Sequence, residues 1–453
     1  MRVLLVASYE LGHQPLYVAA PAGLLRERGH QVRCLDLSIE PWDPEAVAWA
    51  ERVAFSVPMH TAMRIARRAI ERVREQQPEL PIACFGLYAP FMADVADRAL
   101  GGETDPALMD WIEHGGGEGV IHLGRGAARA GAPLPARDLL PTLDRYAHLA
   151  VDGEERLVGY VEASHGCAHR CRHCPVPVIY DGRLRVVNVD AVIADVTQQV
   201  AAGAQHITFG DPDFLNGAHH SLRVVRALHD RFPDLTFDCT VKVEHVLRHE
   251  DIWSELAAAG CLFVVSAFES VDDATLDRLD KGHTAGDAAR AVTLLRAHGI
   301  EVRPSWMPFT PWTSLDQIHA LLEFVAEHDL VANVDPVQYT IRLLLPEGSL
   351  LLGHPDLTPH LGPYDAERSS YTWRSIDPAM DDLQQRLAAH VEARVGAGDD
   401  IARIYQGLRA ECGLGPASLP AGVSQGRPRL TESWFCCAEP TAHQLGGLRQ
   451  SAM

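Results

Sequence analysis

Residues 164–175 read Ser164-His165-Gly166-Cys167-Ala168-His169-Arg170-Cys171-Arg172-His173-Cys174-Pro175, and the three cysteines set both the chemistry and the architecture to look for. Three thiolates within one loop reach three corners of a cubane iron–sulfur cluster and leave one iron without a protein ligand. Chemistry at a metal requires such an open coordination position, whereas a structural site is closed. A zinc knuckle with His165, His169 or His173 as fourth ligand is the competing assignment. Zinc modules are small and bring a second ligand pair nearby, which this stretch lacks, so the three histidines are assigned as neighbours of the cluster or as surface groups.

Outward from the loop, short apolar runs alternate with amphipathic ones. Strands are expected at 159–163, 206–209, 235–241, 262–267, 301–306 and 336–340, with helices at 191–202, 221–231, 288–298 and 315–328 between and after them. Six βα units in a row fit a parallel barrel, complete or partial, better than an open sheet. Upstream, apolar strands at 3–7, 31–37, 53–58 and 82–86 alternate with helices at 16–28 and 62–77, the pattern of a parallel sheet covered on both faces. The expected α/β organisation is a Rossmann-like domain over 1–130, a proline-bearing linker over 131–156, a partial barrel over 157–345, and a C-terminal extension over 346–453. In that extension 377–394 and 401–411 read as helices, before an irregular Gly/Pro-rich end.

The C-x3-C-x2-C spacing directly after a strand resembles the signature of the radical S-adenosylmethionine (SAM) superfamily, and the resemblance runs through the barrel from about Gly159 to Thr340. It implies a [4Fe-4S] cluster held by Cys167, Cys171 and Cys174, SAM chelated at the open iron, and a flavodoxin or ferredoxin as electron donor. Gly210-Asp211-Pro212-Asp213-Phe214 stands where the superfamily has a Gly-Gly-Glu-like motif that contacts the SAM amino group. It departs from that motif, so Gly210 and Asp211 as contacts compete with a plain helix N-cap aspartate. Lys242, after the third strand, would meet the SAM carboxylate, although a surface lysine needs no such role. Ala267-Phe268-Glu269-Ser270, followed by Leu276, Leu279 and Lys281-Gly282, is similar to the superfamily's Glu-Ser segment and its Leu-x-x-x-x-Lys-Gly turn. This makes Glu269 and Ser270 candidates for SAM binding, with Glu269 meeting the SAM ribose or a neighbouring polar group. Met307-Pro308-Phe309-Thr310-Pro311-Trp312 replaces the Gly-Leu-Pro-Gly run of many relatives, a change that suits either a specialised substrate pocket or packing.

A Rossmann-like domain ahead of such a barrel looks like the cobalamin-binding (B12-binding-type) arrangement. The Asp-x-His-x-x-Gly hallmark is missing; Glu10-Leu11-Gly12-His13-Gln14 is the nearest stretch and its spacing differs. The resemblance therefore leaves cobalamin open while the residues speak against it. No Gly-x-Gly-x-x-Gly follows the first strand, which argues against a nicotinamide dinucleotide.

The tail reads Glu432-Ser433-Trp434-Phe435-Cys436-Cys437-Ala438-Glu439-Pro440. Adjacent thiolates form a soft ligand pair suited to thiophilic elements. The segment resembles that of the CUAEP/CCAEP-tail radical SAM proteins, some of which carry selenocysteine at the position of Cys437. By that resemblance Cys436 and Cys437 are catalytic or hold substrate, rather than being structural. The substrate candidate is a thiophilic arsenic or selenium species, with aminocarboxypropyl transfer of the kind found in arsinothricin-type biosynthesis. Cobalamin-dependent radical methylation, a redox- or metal-sensing iron–sulfur protein, and an auxiliary cluster at the tail pair are the alternatives.

The 453 residues carry 60 acidic and 40 basic side chains, a net charge of −20. A surface that acidic repels phosphate backbones and anionic lipid, so a small-molecule substrate is expected and nucleic acid and membrane are not. The start resembles neither a secretory leader nor a membrane span, and ten cysteines suit a reducing compartment. A cytoplasmic location is the expectation.

Overall fold

The computed structural model describes residues 1–102, 105–115, 119–123, 134–420 and 427–432. The N-terminal unit is one parallel sheet of β1 (Arg2–Ala7), β2 (Gln31–Asp36), β3 (Arg52–Ser56), β4 (Ile82–Phe85), β5 (Arg98–Gly102) and β6 (Gly119–Leu123), in the order β2-β1-β3-β4-β5-β6. Val3 to Ala7 are all buried because helices cover both faces. Leu4 and Val6 belong to the core shared with helix His60–Gln76, and Val3 and Leu5 to the one shared with helix Leu16–Glu27. Buried Ala62, Ile65, Ala66, Ala69, Ile70 and Val73 recur at helical spacing along the first of these helices, the stripe such a layer needs. Strand order reverses between β1 and β3, and the crevice beyond the strand ends at such a switch point is where doubly wound sheets take ligands.

The second sheet is built from β7 (His148–Val151), β8 (Glu154–Val161), β11 (His206–Phe209), β12 (Thr236–Thr240), β13 (Cys261–Glu269) and β14 (Glu301–Trp306). A small hairpin of β9 (Ser164–Gly166) and β10 (Leu184–Val186) follows β8. The C-terminal part adds the hairpin β15 (Leu361–Asp365) and β16 (Ser370–Trp373), and then β17 (Arg429–Leu430). The sheet order is β14-β13-β12-β11-β8-β7-β17. It is parallel from β14 to β8, while β7 runs antiparallel to β8 and β17 antiparallel to β7. Helices Val189–Ala201, Ala218–Arg231, Ala285–Ala297 and Leu315–Glu327 cover it. The last two begin with reciprocal capping boxes, Thr284 with Asp287 and Ser314 with Gln317, which satisfy otherwise orphaned N–H groups.

The result is a curled half-barrel with five parallel strands. The sixth strand expected at 336–340 is instead a 3-10 turn, Pro336–Thr340. Pro336 has no N–H to give a ladder, and the Trp306 N–H at the edge of β14 donates to the Gln338 side-chain oxygen at 3.0 Å. A single parallel bridge, Phe309 to Arg342, is all that remains of the pairing. The segment expected as linker carries β7, which lies between β8 and the edge strand β17. Helices Pro378–Gly396 and Ile401–Glu411 pack together in the C-terminal part. Among the described residues no helix is long and apolar enough to cross a membrane.

Candidate cluster and substrate site

β8 ends at Val161, and the chain turns through Glu162 and Ala163 into the β9–β10 hairpin. Gly166 holds φ +79, and a Cβ there would stand 2.2 Å from the Arg183 carbonyl oxygen, so only glycine makes this turn. The hairpin launches the loop 167–174 across the strand ends. Arg172 fastens it: its N–H donates to the Leu279 carbonyl at 2.9 Å, its guanidinium donates to the Asp277 and Arg278 carbonyls at 3.0 and 2.8 Å, and its own carbonyl accepts from the Leu351 N–H at 3.0 Å. Asn216 grips the other end, donating to Cys167 Sγ at 3.3 Å while its oxygen accepts from the Ala168 N–H at 3.4 Å.

Cys171 is buried, and Cys167 and Cys174 are half-buried. Burial pushes the Cys167 thiol up to about 11 and raises that of Cys171, against which Lys281 and Lys242 work. Thiols so placed become thiolates only with added positive charge nearby, which bound iron supplies. A single zinc ion fits them poorly. A zinc module closes its coordination with a fourth ligand, yet each loop histidine is turned to a carboxylate. The donor set, three cysteines on one loop, suits a cluster.

Each loop histidine faces a carboxylate. His165 Nδ1 lies 2.7 Å from Glu162, His173 Nε2 3.2 Å from Glu269, and His169 Nε2 3.4 Å from Asp213, which also meets His245 Nδ1 at 2.8 Å. His165 and His173 thus tie the loop to the strand ends, whereas His169 Nε2, Asp213 Oδ2 and His245 Nδ1 converge as buried atoms without a hydrogen-bond partner.

Gly210, Asp211, Lys242 and Glu269 come together around the cavity beside this loop, whereas Ser270 does not border it. Ser270 Oγ instead accepts from the Asp272 N–H at 3.0 Å in the following turn. A Cβ on Gly210 would stand 1.9 Å from the Tyr160 hydroxyl, which donates to Glu162 at 3.0 Å. The Asp211 carboxyl accepts from Ser164 Oγ at 2.5 Å and the Ala163 N–H at 2.9 Å, and burial raises it to about 7. Both its oxygens are thus engaged in fixing the end of β8, and the N-cap aspartate of this motif is Asp213, which accepts from the Leu215 N–H. Lys242 Nζ sits 3.1 Å from His169 Nδ1 and 3.2 Å from Glu244.

Glu269 ends β13 with φ +62. Burial alone would raise its carboxyl, but Lys281 and His173, each 3.2 Å from Oε1, hold it down to about 2. Lys281, Glu162, Tyr160 and Asn216 are site residues that sequence reasoning left without a role. The Lys-Gly turn and the position of Glu162 directly after a strand were the available signals. Cys436 and Cys437 lie outside the described residues.

Both units wall the cavity. Leu11, His13, Met59, Leu87, Tyr88 and Gly102 come from strand ends of the first sheet, and the cysteine loop with Lys242, Glu269 and Lys281 from the second. His13 stacks on Tyr160 at 4.8 Å, and burial lowers its imidazole to about 4, so it is neutral. Tyr17 donates to Glu162 at 2.9 Å across the junction. Leu430 and Glu432 also reach the cavity, with Glu432 accepting from the Tyr9 hydroxyl at 2.7 Å.

A family model for the radical SAM superfamily matches residues 161–325. A hopanoid C-3 methylase of Methylococcus capsulatus is 23% identical over 330 residues, covering 66% of this chain; the chain spans 62% of that relative's length. The cobalamin-dependent SAM radical enzyme OxsB, solved with aqua-cobalamin, superposes with a TM-score of 0.67 at 15% identity, over 87% of this chain and 67% of that one. The radical SAM methyltransferase TsrM from Kitasatospora setae, solved with cobalamin and a [4Fe-4S] cluster, gives 0.55 at 18% identity, over 72% and 73%. At these identities the structures share the fold.

Proposed function

Because this chain carries a radical SAM domain, we propose that it is a cobalamin-dependent radical SAM transferase that methylates a small-molecule substrate. The observation that carries the proposal is the shared cavity: the ligand crevice of a doubly wound sheet opens directly onto a loop of three cysteines with the donor set of a cluster. SAM at a [4Fe-4S] cluster supplies a carbon-centred radical on one-electron reduction, and cobalamin supplies a transferable methyl group.

The chain's own residues have the following parts. Cys167, Cys171 and Cys174 would hold the cluster, and Asn216 donates to the first of these sulfurs. Lys242 and Lys281 place positive charge beside the loop, suited to a SAM carboxylate and to the thiolates. Glu269, kept ionised by Lys281 and His173, accepts hydrogen bonds from hydroxyl groups. Gly210, at the end of β11, leaves room for the Tyr160 ring that carries its hydroxyl to Glu162. On the opposite side Leu11, Met59 and Leu87 offer an apolar wall for a corrinoid, and the neutral His13 lies beside them. The site would exclude water from a reactive radical. The relatives solved with cobalamin support this reading despite the absent Asp-x-His-x-x-Gly, and it takes up the cofactor that the sequence left possible but not favoured.

A second reading rests on Glu432. The last described stretch of the tail reaches the cavity, and Cys436 and Cys437 follow it within four and five residues. A thiophilic arsenic or selenium species held by that pair would then receive an aminocarboxypropyl group from SAM. One experiment separates the two: anaerobic reconstitution with hydroxocobalamin, then SAM, dithionite and mass spectrometry of the products. Stoichiometric corrinoid absorbance with S-adenosylhomocysteine and 5′-deoxyadenosine is expected. Methylthioadenosine from protein that retains no corrinoid would overturn methylation in favour of the second reading, as would arsenite binding lost in Cys436→Ser and Cys437→Ser.

A further inference from the structure

Asp213 divides its two carboxylate oxygens. Oδ1 accepts from the Leu215 N–H at 3.1 Å and caps the turn after β11, which fixes the carboxylate and leaves Oδ2 to two histidines. Oδ2 stands 2.8 Å from His245 Nδ1 and 3.4 Å from His169 Nε2. The three residues come from separate parts of the half-barrel: the cysteine loop, the turn after β11, and the helix Val243–Arg248. Asp213 is 2% exposed and His245 5%, and the three facing atoms are all shut off from solvent.

Distance alone would make these contacts a pair of ion pairs. Neither ring N–H, however, makes a hydrogen bond to the oxygen, and all three atoms are without a hydrogen-bond partner. A buried polar atom left unpaired is costly, and three that meet at one place call for a shared partner. The three atoms lie within 4.8 Å of one another. Nitrogen and oxygen ligands ~2.1 Å from one ion stand about 3.0 Å apart at right angles and about 3.4 Å apart at tetrahedral ones. The two separations from Oδ2 are of that size.

We propose that His169, Asp213 and His245 bind one divalent first-row transition-metal ion, separate from the cluster. Two imidazoles and a carboxylate suit zinc or ferrous iron. With the ion on Nε2, the His169 proton sits on Nδ1, which faces Glu244 Oε2 at 3.8 Å. A carboxylate in that position is the usual partner of a ligating imidazole. Lys242, 3.1 Å from the same Nδ1, then keeps Glu244 as its partner at 3.2 Å. His169 and Asp213 border the cavity. The coordination position that three protein ligands leave open therefore takes water or an oxygen donor of a small molecule held there.

The test uses the anaerobically reconstituted holoenzyme with Zn²⁺ as probe. A [4Fe-4S] cluster holds iron and sulfide in equal amounts, so metal in excess of sulfide counts the new site, and zinc displaces ferrous iron from such donors. After zinc is added and unbound metal removed by gel filtration, iron plus zinc is expected to exceed sulfide by about one ion per chain. Asp213→Asn, which keeps a capping side chain, and His245→Phe, which keeps a ring, both lie outside the cysteine loop. Each should lower zinc affinity at least about tenfold, read by competition with a chelating indicator, with sulfide unchanged. His219→Ala, at an exposed histidine, should bind zinc as the wild type does. No metal beyond sulfide in the wild type would overturn the site. So would the same excess and affinity in all four proteins, which would mean adventitious zinc only. Sulfide reports the cluster independently, so a chain that binds the extra ion through these residues but cleaves no SAM would sink the transferase reading and leave this site standing.

Discussion

Glu269 is a buried carboxylate whose ionisation depends on two neighbours, and that dependence makes it testable. Its folded value, about 2, lies below the ordinary carboxyl range. The stabilisation it contributes is therefore fully present above about pH 4 and is lost as pH falls toward 2. Lys281→Met removes the principal partner and strands a charge that is nearly without solvent. A loss of roughly 3–5 kcal/mol in denaturant unfolding of the metal-free chain at neutral pH is expected. The same variant should show a weaker decline in stability between pH 4 and 2, because its Glu269 no longer titrates so low. Equal pH profiles for variant and wild type would contradict the pairing.

At the scale of elements, the edge of the second sheet is closed by a two-residue strand. β17 pairs through Arg429 with Ala150 and through Leu430 with Leu149, and so short a ladder has little stability of its own. Arg427 anchors it, bonding the Asp329 carboxylate and the Asn333 side chain, with Glu301 3.8 Å away. Arg427→Ala should release the strand and with it Leu430 and Glu432 from the cavity. Limited proteolysis is expected to cut near residues 427–432 at least several-fold faster in the variant, with little change in global stability. An unchanged cleavage rate would mean the ladder holds alone.

Across the whole molecule, Arg137 joins the two units. Its guanidinium meets both oxygens of Asp195 at 2.9 and 2.8 Å, the Tyr160 carbonyl at 2.6 Å and the Gln14 carbonyl at 3.2 Å, with both charged partners almost fully buried. One side chain thus ties the segment before the half-barrel to the strand-end loop of β1, to β8 and to a covering helix. Arg137→Ala leaves Asp195 buried and unpaired, and a loss of about 3–5 kcal/mol is expected. Calorimetry should resolve two transitions where the wild type shows one, because the units keep separate cores. Arg137→Met/Asp195→Leu should recover most of the stability while the transitions remain apart.

Local signals in the chain were enough for the alternation of strand and helix, the half-barrel and the cysteine loop. The apolar run of β1 and the strand 206–209 announce themselves within a handful of residues, and ligand spacing in 167–174 is a property of adjacent positions. Four of the six strands of the first sheet were legible. β5, with its glycines, carries no comparable run, and the short run Val120-Ile121 of β6 was passed over. The stretch 336–340 misled because its apolar alternation ignores what Pro336 cannot donate and what Gln338 can accept from a residue 32 positions earlier. The pairing of Glu269 with His173 and Lys281, the capture of Asp211 by Ser164, and the cavity itself belong to the tertiary structure alone. Each joins groups far apart in the chain, and their charge states follow from burial, which exists only once the two units have closed on one another. Sequence thus determined which chemistry the protein carries, and the folded arrangement decided where that chemistry opens onto a second ligand crevice.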